Sequence, residues 1–171
     1  MKRGRGNVRA LHGEEDIYTH ADDRAERVTV TPTAVRMAYA LGADRILVVA
    51  HSPLNPSDAE WQAYVDDAER WVQRGDLRGS LVLTAGGGPT SSQRRALERM
   101  QARIGALPRT AVVTDKLLVR GIVIAIGLFN ANIRAFRPAG LDDAMAYLEV
   151  PAAARPQLLA ELERQRLRLR G

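Results

Sequence analysis

Hydrophobic positions along this chain follow two alternating patterns, one typical of strands and one typical of helices. Apolar residues at a spacing near two predict a first strand within residues 28–41. The unbroken apolar run 46–50 predicts a strand that is buried on both faces. Shorter apolar runs predict strands at residues 81–84, 111–114 and 133–136. The turn residues that follow Leu41 predict that the first two strands form an antiparallel hairpin.

Helical spacing of apolar residues fills the segments between these strands. In the first such segment, Ser57 or Asn55 is the predicted N-cap and Gly75 the predicted end, with Trp61 and Val65 among the inward positions. Four further helices are predicted, at residues 91–104, 115–129, 142–148 and 156–169. The second of these four is so apolar that we expect most of its surface to be buried.

Alternation of strands and helices predicts an α/β fold. The expected architecture is a mainly parallel sheet of four to five strands with packed helices, an antiparallel edge hairpin and an extra C-terminal helix. Residues 1–27 lack apolar periodicity and are predicted to form a flexible basic arm. The folded domain is then expected at 28–150, and a C-terminal helical extension at 151–171.

Composition narrows the class of protein. A chain of 171 residues favours one domain, and the absence of cysteine excludes disulfides and thiolate chemistry. No apolar run is long enough to span a membrane, and no secretory signal is visible, so we expect a cytoplasmic protein without membrane insertion. Two of the three histidines, His12 and His20, lie in the predicted arm, so neither a metal site nor a cofactor is expected.

The net charge of +5 does not by itself indicate a nucleic-acid protein. Nearly all the basic residues are arginine, with Lys2 and Lys116 as the exceptions, which is typical of a coding bias. Basic residues concentrate at the two ends of the chain, and both signs are interspersed between them. Nucleic-acid binding is therefore disfavoured, and any such binding would be non-specific.

A glycine-rich loop is the most informative local feature. An apolar strand stops at Gly86, Gly87 and Gly88, and Pro89 then leads to the hydroxyl residues Thr90, Ser91 and Ser92 at a helix start. One interpretation is a cradle for an anion or nucleotide, because free amides and the helix dipole favour negative charge. The alternative is a tight connection followed by an ordinary N-cap, and the specific nucleotide-binding fingerprints are absent.

Several polar residues follow the predicted central strands. In open α/β sheets the carboxyl ends of the strands line one edge, where ligands bind. The residues expected at this rim are His51, Asp115, Lys116 and Arg120. The alternative is that they are solvated or cap helices, Asp115 being well suited to cap the helix that follows it. No catalytic constellation is recognisable, because no nucleophile elbow or isolated carboxylate pair is present.

The order of elements and several segments resemble the STAS domain, the fold of bacterial anti-sigma-factor antagonists. The strongest segment joins Asn132-Ile-Arg-Ala-Phe-Arg137 to Leu141-Asp-Asp-Ala-Met-Ala-Tyr-Leu148, and the likeness extends over residues 35–150. In STAS regulators a serine at the start of the second helix is phosphorylated by a partner kinase. By position the resemblance places that helix start at Thr90-Ser91-Ser92, where the usual Asp-Ser-x-Gly pattern is replaced.

The resemblance implies a non-enzymatic regulatory or scaffolding module that binds another protein and is switched by phosphorylation at the second helix. Self-association through the C-terminal helix is a further expectation. The alternative function is a small-molecule, anion or nucleotide-binding protein, or an enzyme, that uses the 86–92 loop and the neighbouring strand ends.

Overall fold

The computed structural model describes residues 34–105, 107–128 and 130–170. The predicted arm at 1–27 and the first part of the predicted strand at 28–41 lie outside these ranges. The described residues form an α/β fold with five strands and five α-helices, which confirms the predicted class. The elements are β1 (Met37–Leu41), β2 (Ile46–His51), α1 (Asp58–Gln73), β3 (Gly79–Thr84), α2 (Ser91–Ile104), β4 (Arg109–Val113), α3 (Leu117–Gly127), β5 (Ile133–Phe136), α4 (Leu141–Tyr147) and α5 (Arg155–Arg168).

The five strands form one sheet in the order β1-β2-β3-β4-β5. β1 is antiparallel to β2, and the other neighbouring strands are parallel. The register sets His51 opposite Thr84 at the carboxyl ends of β2 and β3. Because β2, β3 and β4 end at the same edge, the loops that follow them lie at that edge as well.

Each face of the sheet is covered by different helices. Leu47 and Val49 of β2 point to the face covered by α1 and α2, where they pack with Trp61 and Met100. Ile46 and Val48 point to the opposite face, where they pack against α4 and α5. This two-sided burial explains the unbroken apolar run of β2, because alternate side chains enter different cores.

The first helix begins as the sequence predicts. The Ser57 hydroxyl accepts a hydrogen bond from the Glu60 amide at 3.3 Å, and the Glu60 carboxylate accepts one from the Ser57 amide at 2.7 Å. This reciprocal pair is a capping box, which satisfies two amides that the helix itself leaves unpaired.

Among the described residues β1 begins at Met37, inside the predicted range of 28–41. Residues 34–36 precede the strand, where the Arg36 amide donates to the Glu60 carboxylate at 2.8 Å and the Arg36 carbonyl accepts from the Ser52 amide at 2.9 Å. One expectation about the helices is wrong. The helix predicted at 115–129 is α3, and most of its surface is exposed, with Val123 its buried residue. α3 packs mainly on β5, a strand of four residues at the sheet edge, so only one side of the helix is covered.

The C-terminal helix α5 is part of the core. It packs against β2 and β1, and Leu158 and Leu162 are buried among residues of the sheet and α4. Its arginines form ion pairs one turn apart along the helix surface, Arg164 with Glu161 and Arg166 with Glu163. Leu158 and Leu162 therefore contact this chain's own core, whereas Leu159 and Leu167 of the same helix are exposed.

Candidate functional site

The glycine loop after β3 passes very close to the backbone of the loop that follows β2. A Cβ atom on Gly87 would lie 2.5 Å from the Ser52 carbonyl oxygen and closer still to that of Leu54. Gly86 has φ +135°, a conformation that L side chains rarely adopt. Gly88 has open space around it. Glycine is therefore required at position 86 by the backbone conformation and at position 87 by the close approach of the two loops.

The amides of this loop already have partners within the fold. The Gly86 amide donates to the Thr84 hydroxyl at 3.0 Å and the Gly87 amide to the Ser52 carbonyl at 2.9 Å. The Gly88 amide donates to the Asn55 side chain at 3.4 Å. An anion cradle needs free amides, so this geometry favours the tight connection over the cradle.

The start of α2 has an N-cap and two exposed hydroxyls. Thr90 accepts from the Gln93 amide at 3.3 Å, while the Gln93 side chain accepts from the Thr90 amide at 3.0 Å, which completes a second capping box. Ser91 and Ser92 are exposed. The Arg94 guanidinium donates to the Ser91 hydroxyl at 2.9 Å, so a cation already lies beside this position.

The carboxyl ends of β2, β3 and β4 are joined by buried polar side chains. The Thr114 hydroxyl donates to the Thr84 carbonyl at 3.0 Å and accepts from the Lys116 amide at 3.2 Å. The Thr84 hydroxyl donates to the Gly87 carbonyl at 2.5 Å. These bonds fix the two loops relative to the sheet and leave His51 as the remaining buried polar side chain at this edge.

His51 is buried with one ring nitrogen unpaired within the described part of the chain. Only 6% of the residue is exposed, and its Nδ1 atom has no hydrogen-bond partner among the described residues. Burial lowers the pKa of His51 to about 4, and the neighbouring Glu60 carboxylate opposes that shift only partly. The imidazole is therefore neutral near pH 7, able to donate or accept one hydrogen bond at a nitrogen that lacks a partner.

Glu60 stays ionised beside this histidine. Partial burial would raise the pKa of Glu60, but hydrogen bonds from the amides of Arg36 and Ser57 hold it below its ordinary value. The carboxylate accepts hydrogen bonds from these amides and from the Ser57 hydroxyl, so its role is to hold the segment before β1 against the start of α1.

Two cavities meet at His51. The first, which we call the rim cavity, has a volume of about 390 Å³ and lies between the strand ends and the end of α5. Asp115, Arg166 and Arg170 line it together with His51 and Thr84. The predicted convergence of His51 and Asp115 at the strand ends is therefore present.

The remaining predicted rim residues are placed differently. Lys116 forms an ion pair with Asp115 at 3.5 Å, and Arg120 lines neither cavity. Asp115 does not cap α3, because the N-cap position is Lys116, whose side chain makes no cap hydrogen bond. The expectation that Asp115 would serve as a cap is wrong, since the residue lies one position too early.

The second cavity, which we call the α2–α3 groove, has a volume of about 450 Å³. Its floor is the sheet face that carries Val82 and Val112, and Leu97 of α2 forms one wall. The inner side of α3 forms the other wall, through Val119, Ile122, Val123 and Ile126. At one end the groove reaches His51, Thr84 and the glycine loop, so this mainly apolar groove has polar groups at that end.

The outer face of α3, defined here as Leu117, Leu118, Ile124 and Leu128, is exposed, although the sequence predicted that most of this helix would be buried. These four side chains are 74%, 78%, 59% and 78% exposed. Ile122, at 47% exposed, lies at the border between this face and the groove. Soluble monomers rarely expose contiguous apolar patches of this kind, and such patches mark interaction sites.

The described residues hold no cluster of three or more His, Asp or Glu that could bind a metal ion. Nor does the described part of the chain contain a helix with the length and hydrophobicity needed to cross a membrane.

Comparisons with known proteins leave the chain without an assigned family. No protein-family model matches it, and no curated protein does. A solved structure described as an enoyl-CoA hydratase from Mycobacterium avium subsp. paratuberculosis K-10 is weakly similar, with a TM-score of 0.38 and 12% identity over 82% of this chain and 93% of that one. A likeness at this level carries no functional argument.

Proposed function

We propose that this chain is a non-enzymatic, STAS-like regulatory or scaffolding module that binds another protein through the outer face of α3. The observation that carries this proposal is the exposure of Leu117, Leu118, Ile124 and Leu128 on one side of a single helix. Burying one large aliphatic side chain contributes about 1.5–3 kcal/mol, so four of them supply a large favourable term for association.

The chemistry of this surface defines the partner. The described helix carries one charged side chain, Arg120, and that residue is half-buried. Gly121 is exposed with open space around it, which lets a second backbone approach closely. The surface therefore fits a protein that presents an uncharged, apolar helix or groove. α5 is a poorer interaction surface, because Leu158 and Leu162 are in the core.

Substitution of the outer face tests the proposal. We expect the double variant Leu118→Gln and Ile124→Gln to weaken partner binding at least tenfold, because two large apolar contacts are lost. The matched control is Leu54→Gln with Leu167→Gln, two leucines that are 57% and 54% exposed elsewhere. Tagged wild type and variants are purified from the native host, and the bound proteins are quantified by mass spectrometry. Equal recovery from both double variants would contradict the proposal.

The start of α2 supplies the switch in this proposal. Ser91 and Ser92 are exposed at the same sheet edge from which α3 begins, and Arg94 lies within hydrogen-bond distance of the Ser91 hydroxyl. A phosphate at this position is stabilised by the helix dipole and by the guanidinium, and it adds negative charge at the sheet edge from which α3 begins. We expect Ser91→Asp to weaken binding of the partner, whereas Thr90→Ala should change folding stability and leave binding intact. If Ser91→Asp and Ser92→Asp bind the partner with unchanged affinity, these hydroxyls do not act as a switch and serve only in the start of the helix.

A further inference from the structure

The α2–α3 groove has the size and lining of a small-molecule site. Its volume of about 450 Å³ falls within the range of ligand pockets, about 300–1,000 Å³. A cavity of roughly 150 Å³ already accommodates benzene, so this groove has room for a bicyclic molecule. The lining is mostly apolar, with polar side chains such as Ser80, Thr110 and Gln101 among it, and this composition favours an apolar ligand body.

The polar end of the groove contains an unsatisfied group. Nδ1 of His51 is buried and has no hydrogen-bond partner among the described residues, and the side chain of His51 lines this cavity. Leaving a buried polar atom without a partner costs about 1–3 kcal/mol, so a molecule in the groove that reaches this nitrogen and supplies a partner gains from doing so. The Thr84 hydroxyl beside it is already hydrogen-bonded to the glycine loop, so His51 is the group that can form a new hydrogen bond with a ligand.

The charges around the groove define what the ligand's polar group can be. The Arg94 guanidinium is bonded to the Pro89 carbonyl at 3.1 Å and to the Ser91 hydroxyl at 2.9 Å, and Glu98 is exposed to solvent. Among the described residues that line the groove, no ionised side chain is therefore free at the buried end to compensate a ligand charge. An ionic ligand would lose its hydration there without a counter-charge, whereas a hydroxyl could both donate and accept.

We propose that the α2–α3 groove binds a small, uncharged, largely apolar molecule that carries a hydroxyl group, and that Nδ1 of His51 forms a hydrogen bond with this hydroxyl. The ligand body lies between Val82 and Val112 of the sheet and the inner side of α3. This site is distinct from the outer face of α3, so its failure would leave the proposed interaction surface unaffected.

The experiment uses three probes that share one ring system. These are 2-naphthol, naphthalene and 2-naphthoate, and binding to the purified full chain is measured by thermal shift and calorimetric titration. We expect 2-naphthol to bind and naphthalene to bind roughly tenfold more weakly, since it cannot satisfy His51. 2-Naphthoate should be weaker than 2-naphthol. Absence of 2-naphthol binding, or tighter binding of 2-naphthoate, would overturn the proposal.

Two variants of one helix locate the site. Ile122→Trp places a large ring at the mouth of the groove and should abolish 2-naphthol binding. Ile124→Trp is the control, because Ile124 lies on the same helix with similar exposure and does not line the groove. Equal binding by the two variants would place the probe elsewhere and contradict the proposal.

The unmodified protein provides a second readout if a variant fails to fold. Addition of 2-naphthol should shift the ring resonances of His51 in the NMR spectrum, and the resonances are assigned by their loss in His51→Leu. His51→Leu keeps an apolar side chain of similar size, so it should bind 2-naphthol no better than naphthalene. A His51 ring that does not respond to saturating 2-naphthol would overturn its assigned role.

Discussion

The buried imidazole of His51 predicts a loss of stability in mild acid. Burial lowers its pKa to about 4 in the folded chain, whereas the unfolded chain has the ordinary value of 6.5. Between these two values the unfolded state binds the extra proton and the folded state does not. Folding stability is therefore fully present above about pH 6.5 and falls as the pH is lowered toward 4.

The size of this effect follows from the two pKa values. A shift of about 2.5 units corresponds to roughly 3 kcal/mol in total, since one unit is about 1.4 kcal/mol. Between pH 7 and pH 5, the same two values predict that His51 alone lowers the free energy of unfolding by about 2 kcal/mol. For a domain of this size that is a large fraction of a typical stability of about 5–15 kcal/mol.

The assay is urea unfolding at several values of pH between 5 and 8, comparing the wild type with His51→Gln. The variant removes the titrating imidazole but retains a polar side chain, so its free energy of unfolding should change less over this range by about 2 kcal/mol. The pKa of Glu60 lies below its ordinary value, so this carboxylate remains ionised throughout the range of the assay. Parallel pH profiles for the two proteins, or an NMR titration of His51 near pH 6.5, would refute the reasoning.

Three other substitutions test the packing that positions the site, each by the free energy of unfolding in urea. Gly87→Ala should destabilise by about 2 kcal/mol, because a Cβ would overlap two carbonyl oxygens, whereas Gly88→Ala should be nearly neutral; equal effects would contradict the close approach. Thr90→Ala should lower the free energy of unfolding by about 1 kcal/mol because it removes the helix cap, and Ser92→Ala should lower it clearly less. A larger loss in Ser92→Ala than in Thr90→Ala would mean that Thr90 is not the cap. Leu158→Ala should cost about 2–5 kcal/mol, because this leucine is fully buried under the sheet; a negligible cost would mean that α5 is not part of the core.

Periodicity predicted the fold well because most elements bury one regular face. The unbroken apolar run of β2 and the helical spacing of Trp61 and Val65 both reflect contacts that are present. The N-cap at Ser57 was predictable for the same local reason, since a capping box depends on residues three positions apart. The mainly parallel sheet and its antiparallel edge hairpin then followed from chain connectivity.

The exposure of α3 could not be predicted from its own sequence. A helix that is apolar on all sides normally lies inside a core, and no residue within 117–127 signals otherwise. Its exposure depends on the short strand β5, which ends the sheet, so that none of the described elements covers the helix's outer side. The α2–α3 groove was missed for a related reason, because a gap between two helices is a property of packing across the sheet.

The chemistry of the strand ends was partly predictable. Parallel strand order places His51 and Asp115 at one edge, and both line the rim cavity. The bonding of the glycine amides was not visible from sequence, because the partner of Gly87 is Ser52, in a loop 35 positions earlier that packs against it.

Site-specific photo-crosslinking in the native host tests the central claim most directly. A benzophenone amino acid is introduced at position 118 on the outer face of α3 or, in the control, at position 167 on α5; the native leucines there are 78% and 54% exposed. If the outer face of α3 binds a protein, illumination should yield a defined adduct from position 118 and little or none from position 167. Equal yields from the two positions, or no adduct at position 118, would contradict the assignment of α3 as the interaction surface.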